Sequence, residues 1–245
     1  MEKKLEIYGA RSIIEAIKAD QNIDKVLLLK SSKSSLAKSL IDLIIKKNIS
    51  HSFVPIQRFE RLKNKNHQGA LAFLSPIELI NIEQLIDSSL KKNINPTFIL
   101  LDGITDVRNF GAIIRTAVAA NVAGIIISQS NSAPINSDVV KTSAGTLFNM
   151  PICKVNNLKD AIMHLKASDI EIISLTEKAK KSIYERKIDK PVAIILGSEE
   201  KGISNSLLNI SDDKISIPIS NKIDSLNVSV AFSVMVFEIV KQKGL

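Results

Sequence analysis

Apolar residues recur along this chain at two spacings, and their alternation predicts strand followed by helix nearly throughout. In residues 9–19, GARSIIEAIKA, the positions Ile13, Ile14 and Ile17 fall on one helical face. KVLLL at 25–29 is a short continuous apolar run, which reads as a buried strand. SLAKSLIDLIIKK then places Leu36, Leu40, Leu43 and Ile44 on a second helical stripe. ISHSFV at 49–54 is a further strand closed by Pro55, IQRFERLK a short helix, and GALAFL at 69–74 a third strand. This order predicts a small α/β sandwich over residues 1–75.

Residues 76–96 are mixed in character and end at Pro96, so they read as a linker with one helical stretch of its own. A second domain is expected over residues 97–245. It opens with the apolar strand TFILL at 97–101, a turn at Asp102–Gly103, and a helix that Asn109 can cap and that runs to about Ala120. VAGIIIS at 122–128 is the next strand, and further strands are expected near 151–155, 170–175, 191–196 and 214–219 with helices between them. Strands so spaced form a parallel sheet covered on both faces.

The C-terminal stretch from Lys214 to Gln242 combines several of these signals. Ile215, Ile217 and Ile219 form a β-type run interrupted by Pro218, a polar turn follows, and an apolar helical run starts at Val228. Ser225 and Asn227 flank Leu226, and either side chain can cap the helix by accepting from a first-turn amide. A cap needs one of them. Two such side chains on one shoulder, beside free amides, fit a ligand site as well as they fit an over-polar cap.

Composition narrows the classes. A hydrophobic content of 45% supports real cores, and no run of eighteen apolar residues or signal-peptide core occurs, so a soluble cytoplasmic protein without membrane contact is expected. The single Cys153 excludes an internal disulfide and a cysteine-cluster metal site, and it sits in an apolar strand as a core residue. His51, His67 and His164 show no metal-ligand spacing, so no metal is expected. His67, in HQG at 67–69, marks the turn into a strand or touches RNA. The net charge of +8 is uneven: residues 1–95 hold 16 Lys/Arg against 10 Asp/Glu, and residues 96–245 hold 17 against 15. The N-terminal excess suits a polyanion, although a lysine-rich solvated surface accounts for it equally.

Two further segments carry candidate chemistry. In NFGAIIRTA, Asn109, Gly111 and Arg115 stand within two turns at the start of a helix that follows a strand's C-terminal end, where open α/β sheets bind ligands. Arg115 suits phosphate through its planar fork of donors, or else anchors a carboxylate. In AIILGSEEKGIS, a buried strand ends at Gly197, Glu199 and Glu200 follow, and Gly202 closes the turn. Taken alone this is an ordinary glycine turn with solvated acids. Neither a G-x-G-x-x-G fingerprint nor a Walker A loop is present.

Taken together, NFGAIIRTA, ILGSEEKGIS and IPISNKIDSLNVSVA, in this order, resemble the three motifs of the SpoU/TrmH-type RNA ribose 2′-O-methyltransferases of the SPOUT class. The resemblance covers residues 97–245. IYGARSIIEAI and HQGALA resemble the small L30e-like domain that precedes this fold in the subgroup methylating a guanosine in the peptidyl-transferase loop of large-subunit rRNA.

The resemblance implies an α/β fold with a C-terminal deep trefoil knot, S-adenosyl-L-methionine as methyl donor, and RNA, with rRNA foremost, as partner. It implies cofactor contacts at Gly197, Ile217 and Leu226, and a polar catalytic set of Asn109, Arg115, Glu199, Ser225 and Asn227. Asn109 is expected to orient Arg115 or the ribose, with Glu199 in the same network and Ser225 and Asn227 securing it. A homodimer through the knotted domain is implied, with a helix over about 227–242 at the interface and Val230, Val234 and Phe237 on its apolar face. Asn221 replaces the glycine usual in the third motif, and asparagine is the next-best residue for a positive-φ turn. A tRNA or other rRNA target, or a non-catalytic ribosome-assembly role, is the competing reading.

Overall fold

The computed structural model describes residues 5–30, 34–75 and 77–244. Pro76, where the expected linker begins, and the outermost residues of the expected domains 1–75 and 97–245 lie outside them. In chain order the elements are β1 (Leu5–Tyr8), α1 (Ala10–Lys18), β2 (Ile23–Leu29), α2 (Ser35–Lys46), β3 (His51–Val54), β4 (Ala70–Leu74), α3 (Ile82–Lys92), β5 (Thr97–Asp102), α4 (Val107–Ala119) and β6 (Gly124–Ser128). They continue with α5 (Ser137–Thr142), β7 (Ile152–Val155), α6 (Leu158–Ala167), β8 (Glu171–Leu175), β9 (Val192–Gly197), α7 (Asn205–Leu208), β10 (Asp213–Ile215) and α8 (Val228–Lys243). Among the described residues no helix is long and apolar enough to cross a membrane.

The chain divides into two compact units, Met1–Glu78 with Pro134–Asn149, and Leu79–Ala133 with Met150–Leu245. In the first, a four-stranded sheet runs β1-β4-β2-β3, antiparallel except for the parallel β2–β3 pair. The stripe of α1 buries Ile13, Ile14 and Ile17, while that of α2 buries Leu40 and Ile44 and leaves Leu36 and Leu43 half-buried. IQRFERL forms a 3-10 turn whose Phe59 and Leu62 pack with Tyr8 and Leu71 in a second small core. β1, four residues long, escapes a periodicity reading because it offers only two alternations. HQG forms the turn into β4, with Gln68 and Gly69 at positive φ, and His67 stacks on Phe59 at 4.8 Å. The His67 imidazole is pushed below its usual range, first by burial and then by the nearby Lys141 ammonium.

Two differences from the expected division stand out. Residues 134–149, expected in the second domain, group with the first unit. The Tyr8 hydroxyl donates to Asp138 at 2.5 Å, Lys65 pairs with the same carboxylate at 2.8 Å, and Ser143 is fully buried. The stretch read as a linker joins the second unit from Leu79 onward. There α3 buries Leu85 and Ile86 in a core with Phe98, Leu100, Ile162 and Ile195, so its apolar face is structural.

The second unit carries a six-stranded sheet, β10-β8-β9-β5-β6-β7, parallel throughout. β5, β6 and β9 are buried almost along their whole length, which explains their unbroken apolar sequences: helices cover both faces. The expected strand over 214–219 is cut to Asp213–Ile215, because Pro218 cannot donate to a ladder. Cys153 is fully buried in β7, and burial pushes its thiol up to about 11.

Candidate active site

In a parallel sheet every strand delivers its following loop to the same edge. The register sets Asp102, at the end of β5, beside Gly197, at the end of β9, while β8 runs alongside β9 to Leu175. The loops after β5, β8 and β9 therefore open side by side, at the edge where α/β sheets bind ligands.

Asn109 does not cap α4. Asp106 does, its side chain accepting from the Arg108 amide at 2.6 Å, and the helix begins at Val107. Asn109 thus lies within the first turn with its amide free to reach across, and it donates to Glu199 Oε1 at 3.0 Å. On the other side Asn227 caps α8, accepting from the Ser229 amide at 2.9 Å and the Val230 amide at 3.4 Å. The Asn227 amide donates to Asn109 Oδ1 at 3.0 Å and also to Glu199 Oε1. Three residues from three separate motifs close one hydrogen-bonded triangle, and Glu199 additionally accepts from the Val228 amide at 3.4 Å.

Arg115 and Ser225 stand apart from that triangle. Six residues on an α-helix turn through about 120° net of full rotations, so Arg115 leaves α4 on a different face from Asn109. Asn109 therefore does not orient Arg115 here. Arg115 is exposed, as is Arg108, and among the described residues neither guanidinium has a hydrogen-bond or ion-pair partner. Seven residues apart, these two arginines share one face of α4, about 10 Å apart along its axis. Ser225 is exposed and makes no hydrogen bond among the described residues. Since Asn227 alone caps the helix, Ser225 is left facing a cavity.

That cavity has a volume of about 310 Å³ and is lined by Gly197, Ile217, Leu226, Ser225 and Glu199, together with Thr176 and Lys178 from the loop after β8. Its size lies at the lower end of the usual range for small-molecule sites, roughly 300–1,000 Å³. Among the described residues the backbone N–H groups of Ile217 and Leu226 donate to no protein acceptor, so both are available to a ligand. Gly197 is fixed by contact. A Cβ there would come within 2.1 Å of the Gly202 carbonyl carbon and 2.2 Å of the Ile203 nitrogen, both backbone atoms. This close approach is held by the 198–202 turn, in which the Gly202 amide donates to the Ser198 carbonyl at 2.8 Å and Gly202 has φ +65°.

Asn221 lies in the turn before α8 but is not among the residues with positive φ. The asparagine therefore does not serve as a left-handed stand-in for glycine. Thr176 and Lys178 carried no signal in the sequence, because their place at the cavity follows only from β8 lying next to β9.

Comparison with known proteins matches two stretches of the chain to two families. Residues 96–237 match the SpoU rRNA Methylase family, and residues 7–79 match the family described as RNA 2′-O ribose methyltransferase substrate binding. A Mycoplasma pneumoniae protein named as a tRNA/rRNA methyltransferase is 36% identical over 242 residues, spanning 97% of each chain. The 23S rRNA (guanosine-2′-O-)-methyltransferase RlmB of Vibrio vulnificus is 36% identical over 184 residues, covering 75% of this chain and 74% of its own. The SpoU methyltransferase AviRb of Streptomyces viridochromogenes, solved in complex with the cofactor AdoMet, superposes with a TM-score of 0.83 at 20% identity over 98% of this chain and 90% of its own. That likeness shows a shared fold.

Proposed function

The chain belongs to the SpoU rRNA methylase family, and from that premise we propose that it methylates the ribose 2′-hydroxyl of a guanosine in the peptidyl-transferase loop of 23S rRNA, with S-adenosylmethionine as donor. The observation that carries this reading is the Asn109–Glu199–Asn227 triangle, closed beside a cavity that offers unpaired backbone amides. A ligand with a nucleoside and an amino-acid portion fits such a lining, since it needs both apolar walls and main-chain donors. Gly197, Ile217 and Leu226 would hold it. Bound S-adenosylmethionine supplies an electrophilic methyl group on a positively charged sulfur.

The chain's own residues then have to align the hydroxyl oxygen and stabilise the negative charge that develops on it. A guanidinium donates hydrogen bonds and does not give up its proton in proteins, so Arg115 acts by holding a phosphate and by electrostatic stabilisation. Asn109 and Asn227, locked on Glu199, keep the floor of the site rigid. α8 buries Phe232, Met235, Val236 and Ile239 within its own unit, yet leaves Val230 and Phe237 about half exposed, at 49% and 48%. That second apolar stripe is where a second copy of the chain docks. The positive balance of residues 1–95 and the substrate-binding match over residues 7–79 support an RNA grip by the N-terminal unit.

A tRNA target is the second reading, favoured by the name carried by the Mycoplasma relative. The test is to offer 23S rRNA, 16S rRNA and tRNA separately with labelled S-adenosylmethionine and to map the modified ribose. Label on a 23S guanosine is expected. Label on tRNA alone keeps the chemistry and overturns the target, and label on none overturns the activity.

A further inference from the structure

We propose that the exposed edge of the N-terminal sheet, centred on His51 and Phe53 of β3, is a stacking platform for a single-stranded stretch of the RNA substrate. The inference rests on the RNA-directed reading above and adds to it a surface that none of the three motifs contains.

β3 is an edge strand, paired only with β2 among the described residues. Its alternation is inverted relative to a strand that seals a core: His51 and Phe53 are exposed, while Ser52 and Val54 are half-buried. Of the eight phenylalanines only Phe53 and Phe237 are exposed, and Phe237 belongs to the apolar stripe of α8. Leaving a phenylalanine 48% exposed forgoes burial that folding favours, which makes Phe53 a residue in want of a partner.

The two rings are also ordered. His51 Nδ1–H donates to the Ile49 carbonyl at 3.1 Å, which orients the imidazole. Its centroid lies 5.9 Å from that of Phe53 at an interplanar angle of 86°. An edge-to-face pair of this kind presents two ring surfaces at right angles, a corner into which a flat base can stack. Bases of any identity stack on such rings, because each has a π-face.

Cations frame the corner. The Lys30 amide donates to the Val54 carbonyl at 3.3 Å, and the Arg58 amide to the Pro55 carbonyl at 3.2 Å, so both residues stand at the C-terminal end of β3. Both side chains are exposed and have no ion-pair partner among the described residues. Rings flanked by unpaired cations match a strand with bases on one side and phosphates on the other. A protein partner has less to recommend it, because the edge is only four residues long and carries positive charge at its C-terminal end.

The experiment uses the full chain and a single-stranded RNA probe carrying 2-aminopurine, with 23S rRNA as a second ligand. Stacking on the platform should change the probe's fluorescence. Phe53→Ala should weaken binding about 5- to 150-fold without changing its salt dependence, and Phe53→Trp should retain it. Arg58→Ala should lower the log–log salt slope by about 0.7, the share of one phosphate contact. His51→Ala provides a second, independent loss should Phe53→Ala lower the melting temperature. Unchanged RNA binding by both alanine variants overturns the platform. If the wild type still methylates RNA in that case, only this inference falls. If the wild type neither binds nor methylates RNA, the proposed function falls with it. Loss of a ribosomal protein's binding, with RNA binding intact, would assign the surface to protein and equally overturn the proposal.

Discussion

One carboxylate oxygen of Glu199 accepts from the side chains of Asn109 and Asn227 and, at longer reach, from the amide that starts α8. Hydrogen bonds to a charged acceptor contribute roughly 1.5–3 kcal/mol each when buried, and less here because Glu199 is exposed. Glu199→Gln keeps one acceptor oxygen for the shared hydrogen bonds but removes the negative charge that strengthens them. Single-turnover methyl transfer at saturating cofactor should fall about 10- to 100-fold, a loss of chemistry rather than of cofactor binding. Gly197→Ala should do the reverse. Its Cβ meets backbone on both sides, so the 198–202 turn must move at a cost of about 1–3 kcal/mol, and calorimetry should show lost cofactor binding with a lowered Tm. The sequence pointed to these residues only as members of motifs. That Asn109, Glu199 and Asn227 touch, and that Arg115 does not join them, depends on helix phase. Asp106 takes the cap, which places Asn109 inside the first turn of α4.

At the scale of elements, α8 shows most clearly what periodicity can and cannot settle. Its apolar residues surround much of the helix, so the pattern predicts a helix without saying which stripe packs inward. In the structure Phe232, Met235, Val236 and Ile239 pack inward, and Val230 and Phe237 remain half exposed. If that outer stripe docks a second copy, Phe237→Glu should convert a dimer to a monomer in sedimentation at unchanged Tm. A monomeric wild type would contradict the docking. The far end of the helix is pinned by Lys243, whose ammonium donates to the Asn95 carbonyl and Thr97 Oγ1, each at 2.9 Å. Burial lowers its pKa to about 8. Between pH 8 and about 10.5 the unfolded chain then holds the proton that the folded chain has released, so stability rises with pH across that window. Against Lys243→Met, the wild type should gain on the order of 1 kcal/mol from pH 8 to pH 10 in chemical denaturation. A flat difference would mean that the ammonium is better solvated than its position indicates.

At the scale of the whole molecule, strand and helix order was legible because continuous apolar runs and 3.6-residue stripes are local. The grouping of units was not. Residues 134–149 join the N-terminal unit through Tyr8, Lys65 and Asp138, contacts spanning more than seventy positions that no window of sequence exposes. Likewise 76–96 reads as a linker only until Leu85 and Ile86 are seen in the core of the second unit. The cavity was half legible. Gly197, Ile217 and Leu226 follow from motif resemblance, whereas Thr176 and Lys178 come from the neighbour relation of β8 and β9.

The central claim is that the triangle of Asn109, Glu199 and Asn227 builds a site for methyl transfer to RNA ribose. Its most direct test is labelled methyl transfer to rRNA by the wild type and by Glu199→Gln side by side, with cofactor binding measured on the same preparations. The account predicts label on a ribose 2′-oxygen with the wild type, and about 10- to 100-fold slower transfer by the variant at saturating cofactor. Equal transfer rates, or no ribose label from a wild type that binds the cofactor, would contradict it.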